Sequence, residues 1–290
     1  MPRNLIIVRA GDQSLHTGWL ANPNERAWDV IVNYYGDNPD LYHDQGQIRI
    51  DSKGPKWPAL HQLVNDHWER IQTYDYVWFP DDDLVSDAAS VNKFFALCAE
   101  FALDLAQPSL TLDSIIGHPI TVTNHAFLLR YTTFVEIMAP CFSQRFLQRC
   151  RSSFNTNISG WGLDFLWPSW AESLDKVAIV DAVAVRHTRS RGALYGLFKE
   201  QGITPEQELA QLVLKEKLRP IQMTVGAVDL EKQTHGIWNN GHKKLIQLLL
   251  AGYLPELANH PEHLYRAIEP LFAFMGQNDA TAKTKLTAVK

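Results

Sequence analysis

The segment Val177–Val185, VAIVDAVAV, constrains the fold most. It is apolar except for Asp181 and rich in β-branched residues. It is far too short to cross a bilayer, which takes about 20 residues. A run of this kind reads as a strand buried on both faces, and a sheet buried on both faces needs helices above and below it. Asn4–Val8, Trp28–Tyr35 and Tyr76–Phe79 read as further strands, and Ile120–Leu129 as another. Between them, Ala59–Thr73 and Ala88–Leu105 carry apolar residues at helical spacing. Strands alternating with helices predict an α/β domain with a mixed, mainly parallel sheet.

From residue 200 the pattern changes. Thr204 and Pro205, with Glu206 and Glu208 behind them, form a helix start running to Leu218. His242–Leu250 and Glu262–Phe274 are also helix-like, and 277–290 is polar. The expected organisation is a domain over 1–199 and a helical extension over 200–290. The chain has 290 residues and a net charge of −5, which disfavours a non-specific nucleic-acid binder. Its three cysteines, Cys98, Cys141 and Cys150, include no CxxC pair. A reducing, cytoplasmic setting is expected, because the first apolar run is too short for a secretion signal. Peripheral membrane contact through the helical tail stays open, as does the oligomeric state. The phosphate-loop, GxGxxG, HExxH and GxSxG signatures are absent.

Three segments carry chemistry. The first is FPDDDL, Phe79–Leu84. Crowded like charges at a strand end raise one another's pKa unless a cation neutralises them. Divalent Mg²⁺ and Mn²⁺ suit carboxylate oxygens. Asp81 and Asp83 share one side by period-two alternation, and Asp82 the other. A solvated, helix-capping turn is the plainer reading. The second is SGWGLDFLWP, Ser159–Pro168. Gly160 and Gly162 let the backbone approach a ligand. Trp161 offers a ring face to a sugar, and Asp164 offers a carboxylate to a bound hydroxyl. The third is VRHTRSRG, ending at Gly192. His187 ends a strand as a metal-ligand type, and Arg186, Arg189 and Arg191 are phosphate partners. His125 and Arg130, in or beside a strand, are weaker acceptor candidates.

Together the three segments resemble the GT-A class of glycosyltransferases, in which a DxD motif holds a divalent cation on the donor diphosphate. FPDDDL looks like that motif. GWGLD resembles the GWGGED loop of beta-1,4-galactosyltransferases and the WGGE loop of polypeptide N-acetylgalactosaminyltransferases. VRHTR resembles the IRHSR segment of the galactosyltransferases, in the same chain order. At a finer level NLIIVRAGDQSLH, WDVIVNYYG, KWPAL, YDYVWFPDDDL and AIVDAVAVRHT resemble a family catalogued as a domain of unknown function, DUF707, over about residues 4–192.

The resemblance implies a GT-A-like fold and a glycosyltransferase that moves a sugar from a nucleoside-diphosphate sugar to a glycan or other hydroxyl acceptor. It implies Mn²⁺ or Mg²⁺ held by Asp83 and His187, with Asp81 on metal or ribose. Arg9, Gly11, Asp12, Lys56, Trp57, Asp82 and Arg189 fall on the donor side. Trp161 and Gly162 fall on the acceptor side with Asp164 as base, and an inverting reaction is favoured over a retaining one. The galactosyltransferase loop carries two adjacent acids, whereas here Phe165 follows Asp164. The alternatives are a nucleotidyltransferase, told apart by pyrophosphate release, or a phosphodiesterase on a similar scaffold, and a non-catalytic glycan-binding protein, told apart by metal-independent binding.

Overall fold

The computed structural model describes residues 3–21, 23–44, 48–189, 202–239, 242–257, 266, 267 and 269. Strand β1 (Asn4–Ala10) is buried along its whole length. It lies between β2 (Trp28–Tyr34) and β4 (Tyr76–Trp78), parallel to both, and β3 (Ile48–Asp51) continues beyond β2. The other half comprises β6 (Leu105–Leu110), β7 (Phe127–Thr132), β8 (Cys141–Ser143) and β9 (Val177–His187). With β10 (Thr224–Asp229) and β11 (Thr234–Gly236), the full order is β11-β10-β7-β9-β6-β8-β4-β1-β2-β3. A two-residue strand, β5 (Leu84–Val85), pairs antiparallel with the end of β9.

Helices cover both faces, as the apolar strands require. On one face α3 (Ala88–Glu100) packs Phe94, Phe95 and Cys98 against Trp78 and Trp19. Asp87 starts α3 by accepting the Ser90 amide at 2.7 Å. On the other face α1 (Lys56–Asp66), the short α2 (Trp68–Ile71), α4 (Gln144–Cys150) and α5 (Leu163–Trp170) enclose a core that includes Trp57, Phe142, Phe154 and Trp167. All three cysteines are buried free thiols. Among the described residues no helix is long and apolar enough to cross a membrane.

The expected mixed α/β class is the observed one, and three details differ. Parallel pairing dominates only from β3 to β4, because short β8 runs antiparallel between β4 and β6. The expected strand Ile120–Leu129 begins instead as a 3-10 turn at Pro119–Thr121, and β7 starts at Phe127. Residues 200–290 are not wholly helical. After α6 (Pro205–Glu216), strands β10 (Thr224–Asp229) and β11 (Thr234–Gly236) extend the sheet from β7, and α7 (His242–Leu257) follows. The tail therefore shares the core of the sheet. Arg191, most of the expected helix Glu262–Phe274 and the segment 277–290 lie outside the described residues.

Candidate active site

The ends of β1, β2, β3, β4 and β9 and the segment after β7 border one cavity of about 610 Å³. β4 stops at Trp78, and Phe79-Pro80 carries the chain into the acid triplet. The Asp81 amide donates to the Met138 carbonyl at 2.7 Å, and the Leu15 amide donates to the Asp82 carbonyl at 2.6 Å. β5 then lays Leu84 opposite His187. That register is what brings His187 to Asp83, across 104 residues of sequence: His187 Nε2 stands 3.3 Å from Asp83 Oδ2.

The three acids are not equivalent. Asp83 is buried, and its Oδ1 has no hydrogen-bond partner. Asp82 accepts the Gly11 amide on Oδ2 at 2.7 Å and Arg189 Nη1 on Oδ1 at 3.2 Å. Burial pushes Asp82 up to about 6, against the pull of those two donors. Asp81 accepts Lys56 Nζ at 2.5 Å. Its enclosed position raises it and Lys56 pulls it back. His187 Nδ1 faces the Ile115 carbonyl at 2.7 Å. A carbonyl only accepts, so that nitrogen carries a hydrogen, and Nε2 is the nitrogen that faces the Asp83 carboxylate. Burial works against charge on this ring, but Asp83 outweighs it and lifts the imidazole to about 9. The proton on Nε2 pairs the two groups, and a divalent cation that displaces it would meet the Nε2 lone pair and the carboxylate. Among the described residues, no group of three His, Cys, Asp or Glu side chains is already gathered into a metal site.

The expected donor residues divide. Arg9 lines the cavity, and its guanidinium reaches Asn33 Oδ1, Ser52 Oγ and the Gly54 carbonyl at 2.5–3.1 Å. Among the described residues no carboxylate pairs with it, and burial lowers it to about 10. Arg189 also lines the cavity and donates to the Gln13 carbonyl. Lys56 spends its ammonium on Asp81 and on the carbonyls of Phe79, Ile137 and Met138. Trp57 is a core residue with one edge on the cavity, since it lies on the buried face of α1 with Leu60, Leu63 and Val64. Gly11 and Asp12 do not line the cavity. Asp12 instead accepts the Tyr34 hydroxyl and the Asp37 and Asn38 amides. Tyr35 and Lys53, which the sequence did not mark, do line it. Arg186 pairs with Asp113 on the outside. His125 is exposed away from the cavity, and Arg130 is fully buried against Asp181.

The far wall is the loop 157–162. Gly160 and Gly162 have φ of +80° and +98°, where a side chain is strained. Asn157 Oδ1 accepts the Gly160 amide at 2.8 Å, and Asn157 Nδ2 donates to the Trp161 carbonyl at 2.8 Å. Glu208 of α6, buried, accepts the amides of Ile158 and Ser159 at 2.9 and 2.8 Å. Pro205 and Leu209 of the same helix line the cavity. The tail helix α6 thus walls the site. Trp161, Gly162 and Asp164 line this end. Asp164 sits in the first turn of α5 and is pushed up to about 7 by burial and then by Glu136. A Cβ on Gly160 would stand 2.1 Å from Trp57 Cδ1, a ring held by Phe154 and Trp167. Gly160→Ala should therefore cost about 2–4 kcal/mol by overpacking and left-handed strain, read from urea unfolding. A loss under about 1 kcal/mol would show that the loop shifts freely off Trp57.

No curated protein matches the chain. Among solved structures, it is similar to S. aureus TarS 1–349 in complex with UDP-GlcNAc, at 14% identity over 99% of this chain and 77% of that one, with a TM-score of 0.49. It is also similar to glucosyl-3-phosphoglycerate synthase from Mycobacterium tuberculosis in complex with Mn²⁺, UDP-glucose and phosphoglyceric acid. That likeness is 14% identical over 81% of this chain and 86% of that one, with a TM-score of 0.45. Residues 128–223, from β7 through α6 to Met223, are matched by the family model described as a protein of unknown function, DUF707.

Proposed function

We propose that the protein is a glycosyltransferase that takes a sugar from a nucleoside-diphosphate donor to an acceptor hydroxyl, with a divalent cation. The observation that carries this reading is one cavity lined by two chemically different sets of groups. Arg9, Arg189, the acid triplet and His187 form one, and Trp161 and Asp164 form the other. The buried, unpartnered Asp83 Oδ1 and the Nε2 of His187 fit a metal ion, a borderline or hard cation suiting imidazole and carboxylate. Asp83 and His187 would hold it, with Asp81 beside them. When bound, such an ion neutralises charge developing on a leaving diphosphate.

The chain's own residues do the rest. Arg9 is a buried cation bonded to neutral acceptors, so an anionic phosphate completes it. Asp82 fixes Arg189 beside the same space. Trp161 gives the acceptor sugar an aromatic wall. Asp164 takes the proton of the attacking hydroxyl as the new oxygen–carbon bond forms and the bond to diphosphate breaks.

Thermal unfolding against UDP, GDP, ADP, CDP, dTDP and CMP, with and without Mn²⁺, tests this. One diphosphate at 100 times its Kd should add about 2.7 kcal/mol of stability, and only with the metal. A folded protein that no nucleotide stabilises would end the donor-site reading.

A further inference from the structure

Among the described residues, Glu136 is the one acid of the cavity that the transferase reading leaves without work. It follows β7, is buried, and lines the cavity with Asp164. Its position is fixed from several sides. Its amide donates to Gln107 Oε1, and the neighbouring Val135 amide donates to the Asp164 carbonyl at 3.4 Å. Phe134 packs on Phe165, the residue after Asp164, with ring centroids 5.2 Å apart. His118 stands behind Glu136, with Nε2 3.9 Å from Oε1. Gln222 Nε2 lies 2.6 Å from His118 Nδ1. With the Gln222 amide donating, Nδ1 accepts, and the ring proton sits on Nε2 toward Glu136. Asp164 meets the backbone amides of Gly162, Asp164 and Phe165 at the start of α5, and its buried Oδ1 has no hydrogen-bond partner. Among the described residues, Glu136 is the charged group that acts on Asp164, with His118 behind it. Lys56 is turned away to Asp81 and to the carbonyls of Ile137 and Met138.

We propose that Glu136 is a positioning residue that joins Asp164 in a single proton acceptor at the acceptor end. The proposal deepens the transferase reading and rests on it for the identity of the proton. As the acceptor oxygen bonds the anomeric carbon and the diphosphate leaves, one hydroxyl proton passes to Asp164. The charge of Glu136 holds it there, since two neighbouring carboxylates bind the first proton more tightly than either alone. The proton then returns to water. The raised Asp164 pKa, caused by burial and by Glu136, agrees with this geometry.

Carboxyl ¹³C NMR on the full chain, labelled at Asp and Glu side-chain carbons, tests the pair without any substrate. In the wild type Asp164 should titrate near 7. Glu136→Gln should lower that midpoint by about one unit, a tenfold loss of proton affinity. Glu136→Ala should lower the Asp164 midpoint by a similar amount, and serves if Glu136→Gln fails to fold. Midpoints that move by less than about 0.3 units in both variants would overturn the proposal. On the transferase itself, Glu136→Gln should move the acidic limb of the pH–rate profile down by the same interval. A normal carboxyl coupling in a protein that binds no nucleotide would sink the transferase reading and leave the pair standing.

Discussion

Asp83→Asn should leave a folded protein that no longer gains stability from a nucleoside diphosphate when Mn²⁺ is added, and whose sugar transfer falls about 10²–10³-fold or more. The fold survives because the structural work at this position is done by the backbone. The Asp83 carbonyl accepts the Thr188 amide at 3.2 Å and the Thr188 hydroxyl at 2.8 Å. An asparagine amide can also donate to the Nε2 lone pair of His187, so the imidazole keeps a partner. What goes is the negative charge that a cation needs, together with one of the two oxygens able to reach it. The pair of measurements separates outcomes. A variant with wild-type metal-dependent stabilisation by the diphosphate would show that Asp83 does not hold the ion. A variant that unfolds would make Asp83 a structural residue first.

The strands were legible where most of the segment is buried. β1, β2, β4 and β9 are runs of β-branched and aromatic residues that few other structures could shelter. The start of α6 was legible from Thr204 and Pro205, and the capping box with Gln207 is present. β8, β10 and β11 were not. Two are three residues long, and the third is interrupted by Gly226, so pairing rather than composition makes them strands. The end of α3 was overrun because Phe101 and Leu103 continue its apolar pattern past Glu100.

The site followed the same division. Three acids after a buried strand are legible because burial and charge conflict there. The approach of His187 to Asp83 is set by the β5–β9 register, and nothing within either segment encodes it. Glu136 and Glu208 had no local signal. One is a lone acid in TFVEIMAP, the other an acid in a helix's first turn, where the dipole alone explains it. Trp57 also carried a core signal beside its donor-side reading. Positions 57, 60, 63 and 64 share one helical face, and that face is core.

Asp181→Asn should be the most destabilising single change, at about 3–5 kcal/mol. The acid interrupting β9 meets Arg130, and all five guanidinium hydrogens of an arginine can be placed there. Arg130 Nε and Nη2 reach the two Asp181 oxygens at 2.8 and 2.9 Å. Its remaining donors reach the Ile120 and Val122 carbonyls and the Tyr253 hydroxyl at 2.8–2.9 Å. Burial works against the Arg130 charge, and Asp181 outweighs it, so the guanidinium titrates above its ordinary range. Asn in place of Asp leaves that charge buried without its counter-ion. Because Tyr253 belongs to α7, the loss should also loosen the tail, so protease nicking in α7 should precede cleavage in β1. Replacing Arg130 by Met in the same chain removes the stranded charge and should recover part of the loss, which a simple packing defect would not allow. A loss below about 1 kcal/mol would mean that water reaches Arg130 once the pair is broken, and that the tail is held by the apolar contacts of Leu245 and Leu249 instead.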